Sequence, residues 1–357
     1  MRSAYLMDGK PPIFDKEKAR ETIANGRRGK WWHRKGSKSR GFTYTDASGK
    51  RISAPDALHR ISSLVIPPAW KYVRISPSAR GRLQAVGMDT TGRIQYLYNS
   101  KFTENQQRKK FAKIEKFGKY LPKLRRITNK DIALDGYPRE KVLAVIVRLI
   151  NSLYFRVGTE ASKRNYGTYG ITTFKNAHLT ITRNGTLTFD FVGKSHIQHR
   201  KVLVDEDLAE ILKGLKNVGP QRKLFHYIDD LGKVRAIKPS EINQYLKKAT
   251  SDEFSSKDFR TWGGTLLAAA EFAKIGPVTN QKEIKENIVK VVKKVAKEIG
   301  NTPAVCRASY IHPLVIKSYE KGLTIARFGP QRARRIKRFQ TDLEPEEIAL
   351  LKLFEAT

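Results

Sequence analysis

Apolar and polar residues alternate in three short runs of the first third of the chain, Tyr72–Ser76, Arg82–Asp89 and Arg93–Tyr98, the last two joined by a turn at Asp89–Gly92. A period of two hides one side of each run, so the pattern predicts an antiparallel β region. Upstream, Gly26 to Ile52 reads as glycine-punctuated β structure, after a polar lead-in with a short helix at Glu17–Ile23. The period changes past a break at Asn99–Glu104. Gln106–Lys119 is helical and very basic. Pro138 then opens a helix in which Val142, Val145, Ile146, Leu149, Ile150 and Leu153 recur at spacings of three and four, a core-facing stripe that ends close to Arg156.

The β pattern returns at Leu179–Arg183 and Thr186–Phe191. Between them Asn184-Gly185 is a dipeptide suited to the left-handed angles of a type I′ hairpin, and a further strand covers His199–Val204. Helical periods fill the remainder at 205–214, 240–249, 260–274, 280–299 and Pro345–Phe354. The fourth carries Asn280 and Glu283 at capping-box spacing, an apolar stripe from Ile284 to Ile299, and Gly300 just past its end. The expectation is an α+β chain. A smaller domain rich in antiparallel β covers residues 1–100, and a larger, mainly helical one covers 101–357, with a β-hairpin at 179–204.

Charge narrows the partner. The 357 residues hold 70 Lys plus Arg against 34 Asp plus Glu, a net charge of +36 spread along the whole length. Such self-repulsion is usually offset by a polyanion, so nucleic acid is the favoured partner. From Arg27 to Lys35 cations mix with Trp31, Trp32 and His33, which suits a phosphate-facing surface as well as tryptophans in a core with cations in solvent. Arg332–Arg338 is a further basic run.

One cysteine, Cys306, excludes an internal disulfide and a cysteine-based zinc site. The apolar runs fall short of the roughly 18 residues that cross a bilayer, and Met1 to Arg20 is mixed and charged rather than signal-like, so a cytoplasmic, nucleoid-associated protein is expected. Gly193-Lys194-Ser195 imitates part of a phosphate-cradling loop. Thr188 stands where that motif needs its first glycine, and strands flank it, so no nucleotide cofactor is implied. His196 and His199 lack the companions that a metal site needs.

The stretch with chemistry in it is Asn301 to Pro313, which carries Tyr310 in a chain crowded with cations. A phenol becomes an oxygen nucleophile when positive charge stabilises its anion. Taken with Phe155-Arg156-Val157-Gly158, Phe189-Asp190-Phe191-Val192-Gly193-Lys194 and Lys257-Asp258-Phe259-Arg260-Thr261-Trp262, this stretch resembles the active site of type IB DNA topoisomerases of the poxvirus-like and bacterial branch. The resemblance runs from about Ile66 onward.

It implies an isomerase that relaxes supercoiled double-stranded DNA through a 3′-phosphotyrosyl intermediate, without ATP, metal or other cofactor, as a monomeric two-domain clamp. Tyr310 would be the nucleophile, Arg156 and Arg260 would hold the non-bridging oxygens, and Lys194 would be the general acid. Lys257 would be a relay or field partner, and Asn301 would replace the histidine of the poxvirus-type enzyme. Gln95, Tyr96 and Tyr98 match positions that reach base edges there, although their alternation also fits an ordinary strand. Arg108, Lys109 and Lys110 on the basic helix would meet phosphates.

Tyrosine recombinases share this fold and nucleophile. They usually carry histidine where Lys257 stands, and another where Asn301 stands. A non-enzymatic DNA-packaging protein would account for the charge but not for the constellation. Plasmid relaxation separates the three.

Overall fold

The computed structural model describes residues 16–220, 222–329 and 341–356; residues 1–15 and the basic run Arg332–Arg338 lie outside them. The chain forms two compact units, one ending at Lys109 and the other beginning at Lys110.

The first unit holds α1 (Lys16–Ala24), β1 (Trp32–Ser37), β2 (Gly41–Thr45), α2 (Pro55–Ser63), β3 (Lys71–Ile75), β4 (Leu83–Met88) and β5 (Ile94–Tyr98). The strands pair antiparallel in the order β2-β1-β3-β4-β5. The alternation of strand side chains gives the sheet two apolar faces, each with a helix on it. Ala19 and Ile23 of α1 pack with Val86 and Met88. Ile61 of α2 packs with Val73, Ile75 and Ala85. The sequence pattern did not announce α2.

Between phosphate surface and core, Trp31 and Trp32 take the core: each packs against one of these clusters. Arg34 lies over the Phe42 ring at 4.3 Å and donates to the Trp70 carbonyl at 2.7 Å, which makes it a strut.

The helix α3 (Ser100–Ile132) corrects the expected break at Asn99–Glu104. Asn99 accepts from the Lys101 N–H at 2.9 Å, so the polar residues that read as a loop start a helix of 33 residues.

The second unit continues with α4 (Arg139–Leu153), α5 (Glu160–Tyr166), β6 (Leu179–Ile181), β7 (Thr186–Val192), β8 (Gln198–Val204), α6 (Glu206–Leu215), β9 (His226–Ile228) and β10 (Val234–Ala236). It closes with α7 (Pro239–Ala249), α8 (Ser256–Ile275), α9 (Gln281–Ile299), α10 (Pro303–Ser309), α11 (Pro313–Glu320) and α12 (Pro345–Glu355). One apolar cluster joins α4, α8 and α9 to the β6-β7-β8 sheet. The stripe foreseen on α4 is buried, from Val142 through Leu153. The short α5 and the β9-β10 ribbon were not foreseen.

Two local expectations need correction. The Asn184-Gly185 turn is a three-residue loop, because Thr182 and Thr186 close it and only Gly185 is left-handed (φ +73°). The Asn184 carboxamide oxygen accepts from the Thr186 hydroxyl at 3.0 Å, which ties Asn184 into a loop of the bulged kind rather than type I′. The segment before Tyr310 falls outside the helical periods read from the sequence, between 280–299 and Pro345–Phe354. Most of it is α10, started by Thr302, whose hydroxyl accepts from the Val305 N–H.

Candidate active site

Tyr310 caps the C-terminus of α10, and its N–H returns to the Cys306 carbonyl at 2.8 Å. Its carbonyl lies so close to α8 that a Cβ on Gly264 would sit 2.6 Å from it. Thr265 fastens the contact: its hydroxyl is 3.3 Å from the Tyr310 carbonyl and accepts from the His312 N–H at 3.0 Å. The glycine pair in mid-helix has a further use, since a Cβ on Gly263 would strike the Tyr154 ring at 2.0 Å. A Gly-Gly pair inside a helical pattern is costly without a packing reason, and was the available sign of this close approach.

Arg260, one turn into α8, lies under Tyr310, its guanidinium carbon 5.1 Å from the ring centroid. It is 5 % exposed, which is extreme for a cation. Its two terminal nitrogens donate to the carbonyls of Tyr154 (2.6 Å), the residue that caps the C-terminus of α4, and Ile299 (2.7 Å), the last residue of α9. Burial lowers its pKa, and the Tyr310 phenol beside it pulls the other way.

Arg156 follows Tyr154, whose left-handed conformation (φ 57°, ψ 34°) ends α4. The Arg156 carbonyl accepts from the Ile171 N–H at 2.8 Å, which fixes the backbone. Its guanidinium donates to the Gly300 carbonyl and to Asn301 Oδ1, both at 2.6 Å. Burial first, then Arg260, bring it down to about 10, so it stays charged near neutrality. Both guanidiniums are thus held by oxygens that carry no full charge, and their positive charge remains for an anion.

A guanidinium has only donors, so the amide oxygen of Asn301 must face Arg156. The amide nitrogen is turned away, and it is buried with no hydrogen-bond partner. Asn301 is not the cap of α9. Gly300 takes the left-handed position (φ 66°), and the Asn301 backbone N–H closes on the Ala296 carbonyl at 2.8 Å.

Lys194 and Lys257 are less closely drawn in. Lys194 is exposed in the loop between β7 and β8, where Ser195 and His196 are both left-handed (φ 64° and 57°). Lys257 is exposed in the first turn of α8.

His199 was not foreseen as part of this region. It stacks on Phe191 at 5.1 Å and fills the space over two glycines. A Cβ on Gly193 would meet it at 2.5 Å, and one on Gly300 at 2.2 Å. Burial, Arg156 and Lys201 push it down to about 4, so a neutral ring is wedged between the base of the Lys194 loop and the turn into Asn301.

In the first unit, strand alternation places Tyr96 and Tyr98 on one face of β5, exposed, with ring centroids 6.4 Å apart. Gln95 faces the other way, and its amide donates to Asp89 at 2.9 Å. Arg108 and Lys109 are exposed on α3. Lys110 is turned inward, its ammonium bonded to the Ser309 carbonyl and 5.6 Å from the Tyr310 centroid.

A phenol flanked by charged guanidiniums and an unpartnered amide donor, in a mainly helical unit, is a set of groups that phosphoryl transfer to a tyrosine oxygen can use. Residues 99–335 match the family model described as eukaryotic DNA topoisomerase I, catalytic core, and residues 41–89 match that of the bacterial DNA topoisomerase IB N-terminal domain. The DNA topoisomerase 1B of Acanthamoeba polyphaga mimivirus is 30% identical over 287 residues, covering 78% of this chain and 84% of the viral one. That of Vaccinia virus is 23% identical over 252 residues, covering 69% and 75%. The DNA topoisomerase 1 of Mycosarcoma maydis is 26% identical over 220 residues, covering 55% of this chain and 21% of the fungal one.

The chain belongs to the type IB DNA topoisomerase family, isomerases that relax DNA by transient strand cleavage. Neither the recombinase nor the packaging reading is favoured.

Proposed function

We propose that the chain closes as a clamp on duplex DNA and relaxes it as a monomer in four steps: attack by Tyr310, departure of a 5′-hydroxyl, strand rotation and resealing. In cleavage the Tyr310 oxygen bonds to phosphorus and the P–O5′ bond breaks. The phenol proton passes to solvent water, and the Lys194 ammonium delivers a proton to O5′, so one proton is released and one taken up. Arg156 and Arg260 take the charge that builds on the non-bridging oxygens, where fixed guanidiniums need no reorganisation. The Asn301 amide nitrogen supplies a neutral third donor. Lys194, brought over the phosphate by bound DNA, protonates the leaving oxygen. Lys257 is its electrostatic partner. The 3′-phosphotyrosyl link conserves the phosphodiester energy, so neither ATP nor a metal ion enters the balance. Tyr96 and Tyr98, with Arg108 and Lys109, face the DNA, whereas Gln95, on the other face of β5 and bonded to Asp89, is left out of the contact.

The observation that carries this reading is the pair of guanidiniums at Tyr310, Arg260 buried and Arg156 half-buried, whose partners are carbonyl and amide oxygens rather than carboxylates. The test is plasmid relaxation in EDTA without ATP, with denaturant trapping of the covalent adduct. The wild-type chain is expected to relax and to be trapped, whereas Tyr310→Phe binds DNA and forms no adduct. An adduct of normal yield from Tyr310→Phe removes this tyrosine from the mechanism.

A further inference from the structure

Lys110 belongs by sequence to a basic run, but its surroundings differ from those of its neighbours. Arg108 and Lys109 are exposed. The ammonium of Lys110 instead donates to the carbonyl of Ser309, the residue before the nucleophile, and lies 5.6 Å from the Tyr310 centroid and 4.9 Å from that of Phe111. With Arg260 at 5.1 Å, two cations stand against one phenol ring, and they come from helices far apart in sequence.

We propose that Lys110 is a positioning residue for the nucleophile: its bond to the Ser309 carbonyl fixes the C-terminal turn of α10, and its charge favours the negative charge that develops on the Tyr310 oxygen during attack. This rests on Tyr310 being the nucleophile. Both parts follow from general physical chemistry. A lysine near the end of a helix satisfies carbonyls that the helix leaves unpaired. A half-buried ammonium acts through a medium of lower dielectric than water, so its charge is felt more strongly at the ring.

The charge is also titratable in a useful range. Burial, with a smaller contribution from Lys113, brings Lys110 down to about 8, against an opposing pull from Asp258. Asp258 is engaged elsewhere, 2.7 Å from the Lys113 ammonium and accepting from the Ser255 N–H at 2.7 Å. On the far side of Phe111, burial holds His312 down to about 4 and so neutral, with Glu115 3.4 Å from it. Cys306, under Tyr310, is pushed up to about 11 by burial and is neutral too. Of Lys110, His312 and Cys306, Lys110 is the one that changes charge just above neutral pH.

The sign follows. Below about 8 Lys110 is charged and assists attack; above it the assistance fades. The experiment is single-turnover adduct formation on supercoiled plasmid from pH 6.5 to 10, for the full chain and its Lys110→Met and Lys110→Arg variants. Lys110→Met is expected to cleave about 10-fold more slowly at pH 7, and the deficit should shrink towards pH 10, where the wild-type lysine is neutral as well. Bound DNA phosphates favour the ammonium and shift that fall upward from about 8. Lys110→Arg restores most of the rate at pH 7 and gains on the wild type above pH 8.

A deficit in Lys110→Met that is the same at every pH makes the residue purely structural and overturns the proposal. So does a full rate at pH 7. If Lys110→Met does not fold, the ratio of Lys110→Arg to wild type decides: a ratio flat with pH overturns it. Tyr310→Phe run in parallel keeps the two readings apart, since an adduct there sinks the nucleophile assignment itself.

Discussion

Removing the side chain of Asn301 is the perturbation that best separates a role in chemistry from a role in folding. The structure gives this side chain one bond, from Arg156 to Oδ1 at 2.6 Å, and leaves its nitrogen buried without a partner. The cap of α9 is made by Gly300 and by the backbone N–H of residue 301, which alanine also has. Arg156 keeps its second bond, to the Gly300 carbonyl.

In Asn301→Ala the ground state therefore loses one charged hydrogen bond and is relieved of one unpartnered buried donor. These effects oppose each other and are each of order 1–3 kcal/mol. The melting point should move by less than about 4 °C, on the scale of 1 kcal/mol for a unit of this size. The transition state loses a donor that two guanidiniums only partly cover. A single such donor is worth about 10²–10³ where it acts alone, so a loss of about 10- to 10²-fold in the cleavage rate is expected here. Asn301→His, which can still donate, should keep substantial activity.

Asn301→Asp is the sharper control: it keeps the acceptor for Arg156 but replaces the donor with negative charge, and should cleave more slowly than the alanine variant. The assay is single-turnover adduct formation beside a melting curve. An unchanged cleavage rate with a lowered melting point would refute the donor role and leave Asn301 as a brace for Arg156.

The other predictions concern the acid and the wedge. Lys194→Ala should slow cleavage of an ordinary phosphodiester by about 10²-fold or more, and far less for a 5′-bridging sulfur, which leaves without a proton; equal losses on both substrates rule out the acid role. Gly300→Ala places a Cβ 2.2 Å from His199 Cε1 at a left-handed position, so a loss of about 2–4 kcal/mol, or roughly 5–10 °C in melting point, is expected together with slower cleavage. An undisturbed melting curve would mean that His199 swings clear and couples nothing.

Much of this was legible in the sequence because it is written locally. The stripe on α4, the strands of both sheets and the termination of α9 at Gly300 follow from side-chain period and backbone angle. Short-range signals misled where a polar residue had two uses. Asn99 read as a break and starts a helix, while Asn184 read as half of a two-residue turn and is tied by its side chain into a longer one. Elements without a period of their own, such as α5 and the β9-β10 ribbon, gave no signal.

The residues around Tyr310 divide in the same way. Tyr310, Arg156, Arg260 and Asn301 could be named from motifs, but their arrangement could not, because it depends on where α4, α8 and α9 end against one another. Arg260 is held by the carbonyl of the residue that caps α4 and by the last carbonyl of α9, and Arg156 by the residues that follow α9. Gly264 admits the Tyr310 backbone, and His199 occupies the room left by two glycines. The inward turn of Lys110 belongs here too. One residue beyond an exposed Lys109, it lies on the helix face that meets Ser309, a contact of residues 199 positions apart that a local pattern does not encode. The sequence supplied the reactive groups and the helices that bear them. Packing between helix ends decided which cations reach the phenol and which stay in solvent.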